Sequence, residues 1–127
     1  MRERVKVLIA EDEYLVALDI RNELMRIGYD VCIPVATGDN VIAAAIKEKP
    51  DVILMDVNLA SDIDGIAAAR AIRENYDPCI IFMTGLDEGG IKNVVGAMDK
   101  SRYIIKPVSI HEIEDMIRSV IGAAPGG

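Results

Sequence analysis

A short β-rich run followed by a longer helical pattern occurs five times in succession along this chain, and no hairpin signal separates one run from the next. Strands not joined by hairpins pair in parallel, and each return then needs a helical crossover of fixed hand. The expected fold is an α/β domain built on a five-stranded parallel sheet with helices on both faces.

Val5-Lys-Val-Leu-Ile-Ala10 is the first predicted strand. Glu13 to Ile27 is the first helix, with Val16, Ile20, Leu24 and Ile27 on one face and Gly28 as its stop. Asp30 to Val35 reads as the second strand. Asp39 to Glu48 follows as a helix capped at Gly38 or Asp39, and Pro50 forces the exit into the third strand, Asp51 to Asp56. That strand is apolar on both faces, as a central parallel strand must be. Asp64 to Asn75 is the third helix, with Ile66, Ala69, Ile72 and Arg73 spaced to give a buried and a solvated side. Cys79 to Met83 is the fourth strand, and a Gly-interrupted helix spans Gly90 to Met98. Arg102 to Ile105 is the fifth strand, and Ser109 to Ile121 the last helix, opened by a Ser109/Glu112 capping box.

The 127 residues suit one domain with its own core, and with one Phe and no Trp that core must be aliphatic. Residues 1–122 are expected to form the domain and 123–127 a flexible tail or linker stub, because Gly and Pro cannot extend a helix there. Cys32 and Cys79 are far apart, each inside an apolar run, and read as small hydrophobes in a reducing compartment. No run approaches the roughly 20 apolar residues of a membrane span, and no signal core follows the N-terminus, so a cytoplasmic location is expected. A net charge of −7 opposes direct binding to nucleic acid.

In an open parallel sheet, chemistry gathers at the carboxyl ends of the strands, near the point where strand order reverses. Strand one runs into Glu11-Asp12-Glu13, strand three ends at Asp56 with Asn58 beyond it, strand four at Thr84-Gly85, and strand five at Lys106-Pro107. Carboxylates sharing one small cleft raise each other's proton affinity unless a cation neutralises them, and an oxygen donor set of this kind suits Mg2+. A phosphoryl group on Asp56 would need a cation, a hydroxyl donor and a fixed positive charge. Mg2+, Thr84 and Lys106 supply them, with the Asp56 carboxylate as nucleophile.

These residues, in this order, resemble the receiver domain of two-component response regulators, and the likeness covers nearly the whole chain. It implies the flavodoxin-like receiver fold, strand order 2-1-3-4-5. Glu11 and Asp12 match the acidic pair and Asp56 the phosphoacceptor. Asn58 matches the residue whose backbone carbonyl joins Glu11, Asp12 and Asp56 around Mg2+, and whose side chain helps set phosphate lifetime. Thr84 matches the switch hydroxyl and Tyr103 the switch aromatic, which turns inward when Thr84 is drawn to the phosphoryl group. Lys106-Pro107 matches the Lys-Pro pair, whose peptide bond is expected to be cis. Leu86 falls at a second lifetime-tuning position and implies slow-to-moderate hydrolysis, since it crowds the attacking water without orienting it. Two departures stand out. The loop Asn58-Leu-Ala-Ser-Asp-Ile-Asp-Gly65 lacks the usual Pro and looks one residue longer, and Phe82-Met-Thr-Gly85 resembles a minor branch with Gly after the Thr. Gly85, Gly89 and Gly90 imply a mobile loop and short helix before phosphorylation.

The resemblance implies a phosphorylation-dependent signalling switch rather than an enzyme acting on other molecules: a phosphoacceptor that assists its own Mg2+-dependent phosphorylation and dephosphorylation. The expected donor is a sensor histidine kinase or histidine phosphotransfer domain. A downstream protein partner is read through helix 4, strand 5 and helix 5, and a homodimer formed on phosphorylation is a further option. Within these residues there is no output domain, so the output is a partner or a segment beyond them. Leu15, Leu18 and Met25 make a second apolar stripe on the first helix, placed to dock a kinase's phosphohistidine domain. Glu13, Glu48, Asp51 and Asp77 read as solvated surface, Asp62 and Asp64 as loop and helix-start residues, and His111 as a solvated helix position. A dehalogenase-type phosphatase would need its nucleophilic Asp and a second Asp two residues on after strand one, where Glu11-Asp12-Glu13 stands. A flavodoxin-like mononucleotide binder would need a Ser, Thr or Gly phosphate loop there. A receiver-like scaffold that dispenses with phosphate is argued against by the full set of site residues.

Overall fold

The apolar runs build one sheet whose two central strands, β3 (Val52–Asp56) and β4 (Cys79–Thr84), are buried at every residue. The computed structural model describes residues 4–59, 62–85, 91–96 and 98–121. Around the central pair lie β1 (Lys6–Ala10), β2 (Asp30–Val31) and β5 (Ser101–Ile105), and the order β2-β1-β3-β4-β5 is parallel throughout. The helices are α1 (Tyr14–Ile27), α2 (Gly38–Glu48), α3 (Gly65–Arg73), α4 (Ile91–Gly96) and α5 (Ile110–Ile121). Among the described residues, no helix is long and apolar enough to cross a membrane.

Alternation along the strands divides the core into two layers. Val7, Ile9, Leu54, Ile81 and Met83 face α1 and α5, where Ala17, Ile20, Leu24, Ile113 and Ile117 meet them. Leu8, Ile53, Met55, Ile80 and Phe82 face the other way, onto Val41, Ala45, Ala68, Ala69 and Ile72. Each fully buried Leu, Ile, Met or Phe contributes about 1.5–3 kcal/mol by leaving water, which lets an aliphatic core of this size hold the domain without disulfides. Cys79 is buried and Cys32 half-buried, and both are free thiols.

Several boundaries differ from the sequence reading, each for a local reason. β2 stops at Val31 rather than Val35, because Pro34 has no N–H to give the ladder. The segment nonetheless stays beside β1 through Cys32 N to Val7 O (2.9 Å) and Val35 N to Ile9 O (3.0 Å). The cap of α2 is Thr37, not Gly38 or Asp39: its side chain accepts from Asn40 N at 3.2 Å. On α1 the buried face is Ala17, Ile20 and Leu24, and Val16 is exposed. α3 ends at Arg73, two residues early, and α4 covers Ile91–Gly96. Asp51 is not solvated surface. It is half-buried and exchanges bonds with β1, Lys6 N donating to its Oδ2 (2.9 Å) and its own N donating to Lys6 O (2.8 Å). Asp64 caps α3 by accepting from Ala67 N at 2.8 Å, Ser109 accepts from Glu112 N at 3.2 Å, and Gly28 ends α1 at φ 124°. The expectations for Leu86, Gly89, Gly90 and the 123–127 tail lie outside the described residues.

Gly65 is where the backbone pins the end of β3. A Cβ there would stand 2.3 Å from the carbonyl oxygen of Asp56 and 3.0 Å from Val57 Cα, both backbone atoms that cannot swing aside. Gly65→Ala is therefore expected to cost about 1–3 kcal/mol of folding free energy, read as a lowered urea midpoint. An unchanged midpoint would mean that the loop after β3 relaxes freely.

Candidate functional site

The order reversal between β1 and β3 brings two carboxylates out of adjacent strands at one rim of the sheet. Glu11 directly follows β1 and is 2% exposed; Asp56 closes β3 and is 3% exposed. Asp12, the next residue after Glu11, is exposed. One carboxylate oxygen from each of Glu11, Asp12 and Asp56 lies within 4.8 Å of the other two.

Lys106 enters from β5, two strands away from Asp56. Its backbone N donates to Thr84 O at 2.7 Å, which fixes the point where the chain leaves the sheet. Its ammonium then reaches back to donate to Asp56 Oδ2 (2.9 Å) and Glu11 Oε1 (3.1 Å). The other Asp56 oxygen, Oδ1, accepts from Asn58 N at 2.9 Å. Both carboxylate oxygens of Asp56 are thus held by hydrogen bonds. The Lys106-Pro107 bond is cis, as the sequence resemblance led one to expect. Thr84 is buried at the end of β4, between Asp56 and Lys106 in strand order. Tyr103 pairs with Phe82 in the β4–β5 register and is half-buried against the α2 and α3 side of the core.

The sequence had singled out Glu11, Asp12, Asp56, Asn58, Thr84 and Lys106, and the fold gathers them at this rim, with Tyr103 two residues behind the end of β5. It did not single out Gly65 or Gly38. Asp64-Gly65 before an apolar helix was the available signal for the first; the second was read only as a candidate helix cap.

Burial, then hydrogen bonding with Asp56 and Asp12, raises the Glu11 carboxyl to about 7, with Lys106 pulling against the rise. For Lys106, burial is the largest single influence and acts to lower its pKa. The hydrogen bonds and charges of Asp56 and Glu11 together outweigh it, so the net shift is upward. Fully ionised, three carboxylates and one ammonium leave two negative charges, the complement of a divalent cation.

A carboxyl raised on folding favours the folded state while it stays protonated. The favourable contribution of Glu11 is complete below its ordinary value of 4.5 and is lost as pH rises through about 7. The metal-free domain is expected to lose thermal stability between pH 5 and pH 8, and Glu11→Gln to flatten that fall. Parallel melting curves for the two proteins would show no difference in slope if the assignment were wrong.

Two further surfaces are open, one beside the site and one along β5. A cleft of about 510 Å³ runs beside it between α1 and the start of α5, lined by Glu11, Glu13, Val16, Asp19, Lys106 and Pro107. Next to its lip, Leu15 is 80% exposed and Tyr14 67%, while Leu18 is half-buried. A larger groove, about 1340 Å³, lies along β5 between α4 and α5 and includes Val95, Met98, Tyr103, Ile105 and Met116. His111 is exposed.

Residues 7–118 match the family model of the response regulator receiver domain. The chain is 32% identical over 127 residues to the probable transcriptional regulator ycf27 of Pyropia yezoensis, covering 96% of this chain and 49% of that protein. To the transcriptional regulatory protein PdtaR of Mycobacterium tuberculosis it is 31% identical over 108 residues, covering 85% and 52%. It spans about half the length of the curated relatives it matches. Among solved structures, the receiver domain of the sensor histidine kinase PA1611 from Pseudomonas aeruginosa superposes with a TM-score of 0.81 at 29% identity, covering 94% of this chain and 99% of that one. That crystal structure has a magnesium ion coordinated in its active-site cleft. With the parallel sheet in the order β2-β1-β3-β4-β5 and the acidic rim already in view, the match over residues 7–118 makes this chain a member of the response regulator receiver domain family of two-component signalling.

Proposed function

We propose that Asp56 accepts a phosphoryl group from a phosphohistidine on a sensor kinase or phosphotransfer domain, and that Glu11, Asp12, Asp56 and the backbone carbonyl of Asn58 hold Mg2+ beside it. The observation that carries this reading is the Lys106 ammonium set 2.9 Å from Asp56 and 3.1 Å from Glu11 within a cluster whose remaining charge calls for a divalent ion. Hard carboxylate oxygens and a carbonyl are the donors Mg2+ prefers. Bound there, the ion would draw charge from the phosphoryl oxygens and relieve repulsion among the acids.

The residues themselves do the rest. A carboxylate oxygen of Asp56 attacks phosphorus as the bond to the donor imidazole breaks, and the bonding pair leaves with the imidazole. Lys106 already stands at that carboxylate and offers its N–H groups to charge building on the phosphoryl oxygens. The Thr84 hydroxyl, buried at the end of the neighbouring strand, is assigned a second phosphoryl oxygen. Drawing Thr84 inward leaves room behind it for Tyr103, on the strand paired with β4, and this connects chemistry to the α4, β5 and α5 face. Hydrolysis restores Asp56 by attack of water on phosphorus.

Leu15 and Tyr14 beside the acidic cleft are the docking face for the donor domain, and the groove along β5 is the face read by a downstream protein or by a second copy. A cytoplasmic location agrees with the free thiols of Cys32 and Cys79.

Incubation with acetyl phosphate and Mg2+, followed by intact mass measurement, is expected to add one phosphoryl group per chain, and chelation of the metal to prevent it. A chain that neither gains that mass nor binds beryllofluoride would overturn the reading. Because Glu11 must be ionised to serve the metal, the Mg2+ affinity is expected to fall as pH drops below about 7. Calorimetric titration at pH 6 and pH 8 measures it.

A further inference from the structure

The loop after β3 carries Asn58, and its far end rests against the first residue of α2. A Cβ built on Gly38 would stand 2.4 Å from the carbonyl oxygen of Ile63, 2.6 Å from its Cβ and 2.7 Å from its Cγ2. All three distances are shorter than real Cβ contacts allow, and the nearest atom is backbone, so the loop itself would have to move. Ile63 is half-buried against the core layer that includes Val41, Ala45 and Ala68, and it cannot simply rotate into solvent. Two residues on, Gly65 presses on the Asp56 carbonyl, and its N donates to Val57 O at 2.9 Å. Among the described residues of this loop, Leu59 is buried in the core, and at two further points, Ile63 against Gly38 and the Asp56 carbonyl against Gly65, the fit requires a glycine. Between β3 and these points lies Asn58, whose N–H orients Asp56 Oδ1.

We propose that Gly38 is a positioning residue for the metal site: by admitting Ile63 to the N-terminus of α2, it sets the height of the Asn58 loop over Asp56. The inference rests on the magnesium reading above. Displacing Ile63 is expected to shift the Asn58 carbonyl and N–H, while Glu11, Asp12 and Lys106 stay where they follow β1 and β5. The effect should appear in metal affinity rather than in the fold as a whole.

The test is calorimetric Mg2+ titration and thermal melting of the native chain, Gly38→Ala, Ile63→Ala, and Val41→Ala as a control in the same helix. Gly38→Ala is expected to bind Mg2+ roughly tenfold more weakly. Ile63→Ala, which removes the grip without adding an atom, should weaken it in the same direction. Val41→Ala should lower the melting temperature and leave affinity alone. An unchanged affinity in Gly38→Ala overturns the inference. Should that variant fail to fold, an unchanged affinity in Ile63→Ala overturns it equally. Absence of Mg2+ binding by the native chain would instead refute the metal reading, and this inference with it.

Discussion

Asp56→Asn is expected to take up no phosphoryl group from acetyl phosphate, while its metal-free form is at least as stable as the native domain at pH 8. The amide keeps the shape of the side chain, and its oxygen still accepts from Asn58 N, a bond of 2.9 Å in the native protein. What it loses is the proposed nucleophile and one of three negative charges in a cluster of which Glu11 and Asp56 are buried. Asp56 is one of the causes that push the Glu11 carboxyl up to about 7, so its removal draws Glu11 back toward the carboxylate range, with burial still holding it above normal. Above pH 7 that relief stabilises the variant. A gain of about 1 kcal/mol would raise the melting temperature by about 4 °C for a domain of this size. Intact mass after acetyl phosphate treatment and calorimetric melting at pH 8 measure the two effects. A phosphoryl gain in the variant would place the acceptor on another residue.

The fold was legible because a doubly wound sheet repeats one instruction. Each run from Val5 onward is apolar in strand-length blocks, and each following segment shows helical period, so no single ambiguous boundary could alter the topology. The site was legible for a related reason: an acid directly after a buried apolar strand carries a desolvation cost that a solvent-facing acid does not, and that argument pointed to Asp12 and Asp56. Asp56 is buried, but Asp12 is exposed and the buried member of the acidic pair is Glu11. What escaped depends on contacts far apart in sequence. Gly38 looked like a helix start, yet its lack of a side chain answers to Ile63 on another loop. Asp51 looked like surface because nothing near it in sequence is its partner; Lys6, on the adjacent strand, is. Val16 satisfied the helical spacing as well as Ala17 did, and in the packed helix it is the smaller residue that goes inside. Periodicity names a face to within one residue; packing chooses within it.

Lys106→Met should separate metal binding from chemistry, because the two are expected to move in opposite directions. Methionine keeps the apolar stem, and the backbone N at this position still donates to Thr84 O, so the end of β5 stays in place. The ammonium that bridges Asp56 and Glu11 at 2.9 and 3.1 Å is gone, and the cluster changes from two net negative charges to three. A divalent ion then meets stronger attraction and no competing cation. Even after solvent screening, this should tighten Mg2+ binding about tenfold at a pH where Glu11 is ionised. Without metal the unpaired acids destabilise the fold, and Mg2+ restores it, so the metal-dependent rise in melting temperature should exceed that of the native domain. Phosphorylation runs the other way. In the proposed reaction, attack by Asp56 builds charge on the phosphoryl oxygens, and the loss of one fixed donor at such a position typically slows a reaction by about 10²–10³-fold. Mass-monitored phosphorylation at saturating Mg2+ would therefore be slow in a protein that binds its metal better than the native one. Equal rates under those conditions would reduce the lysine to a counter-ion for the resting site; a slow rate with tighter metal locates its contribution in the transition state.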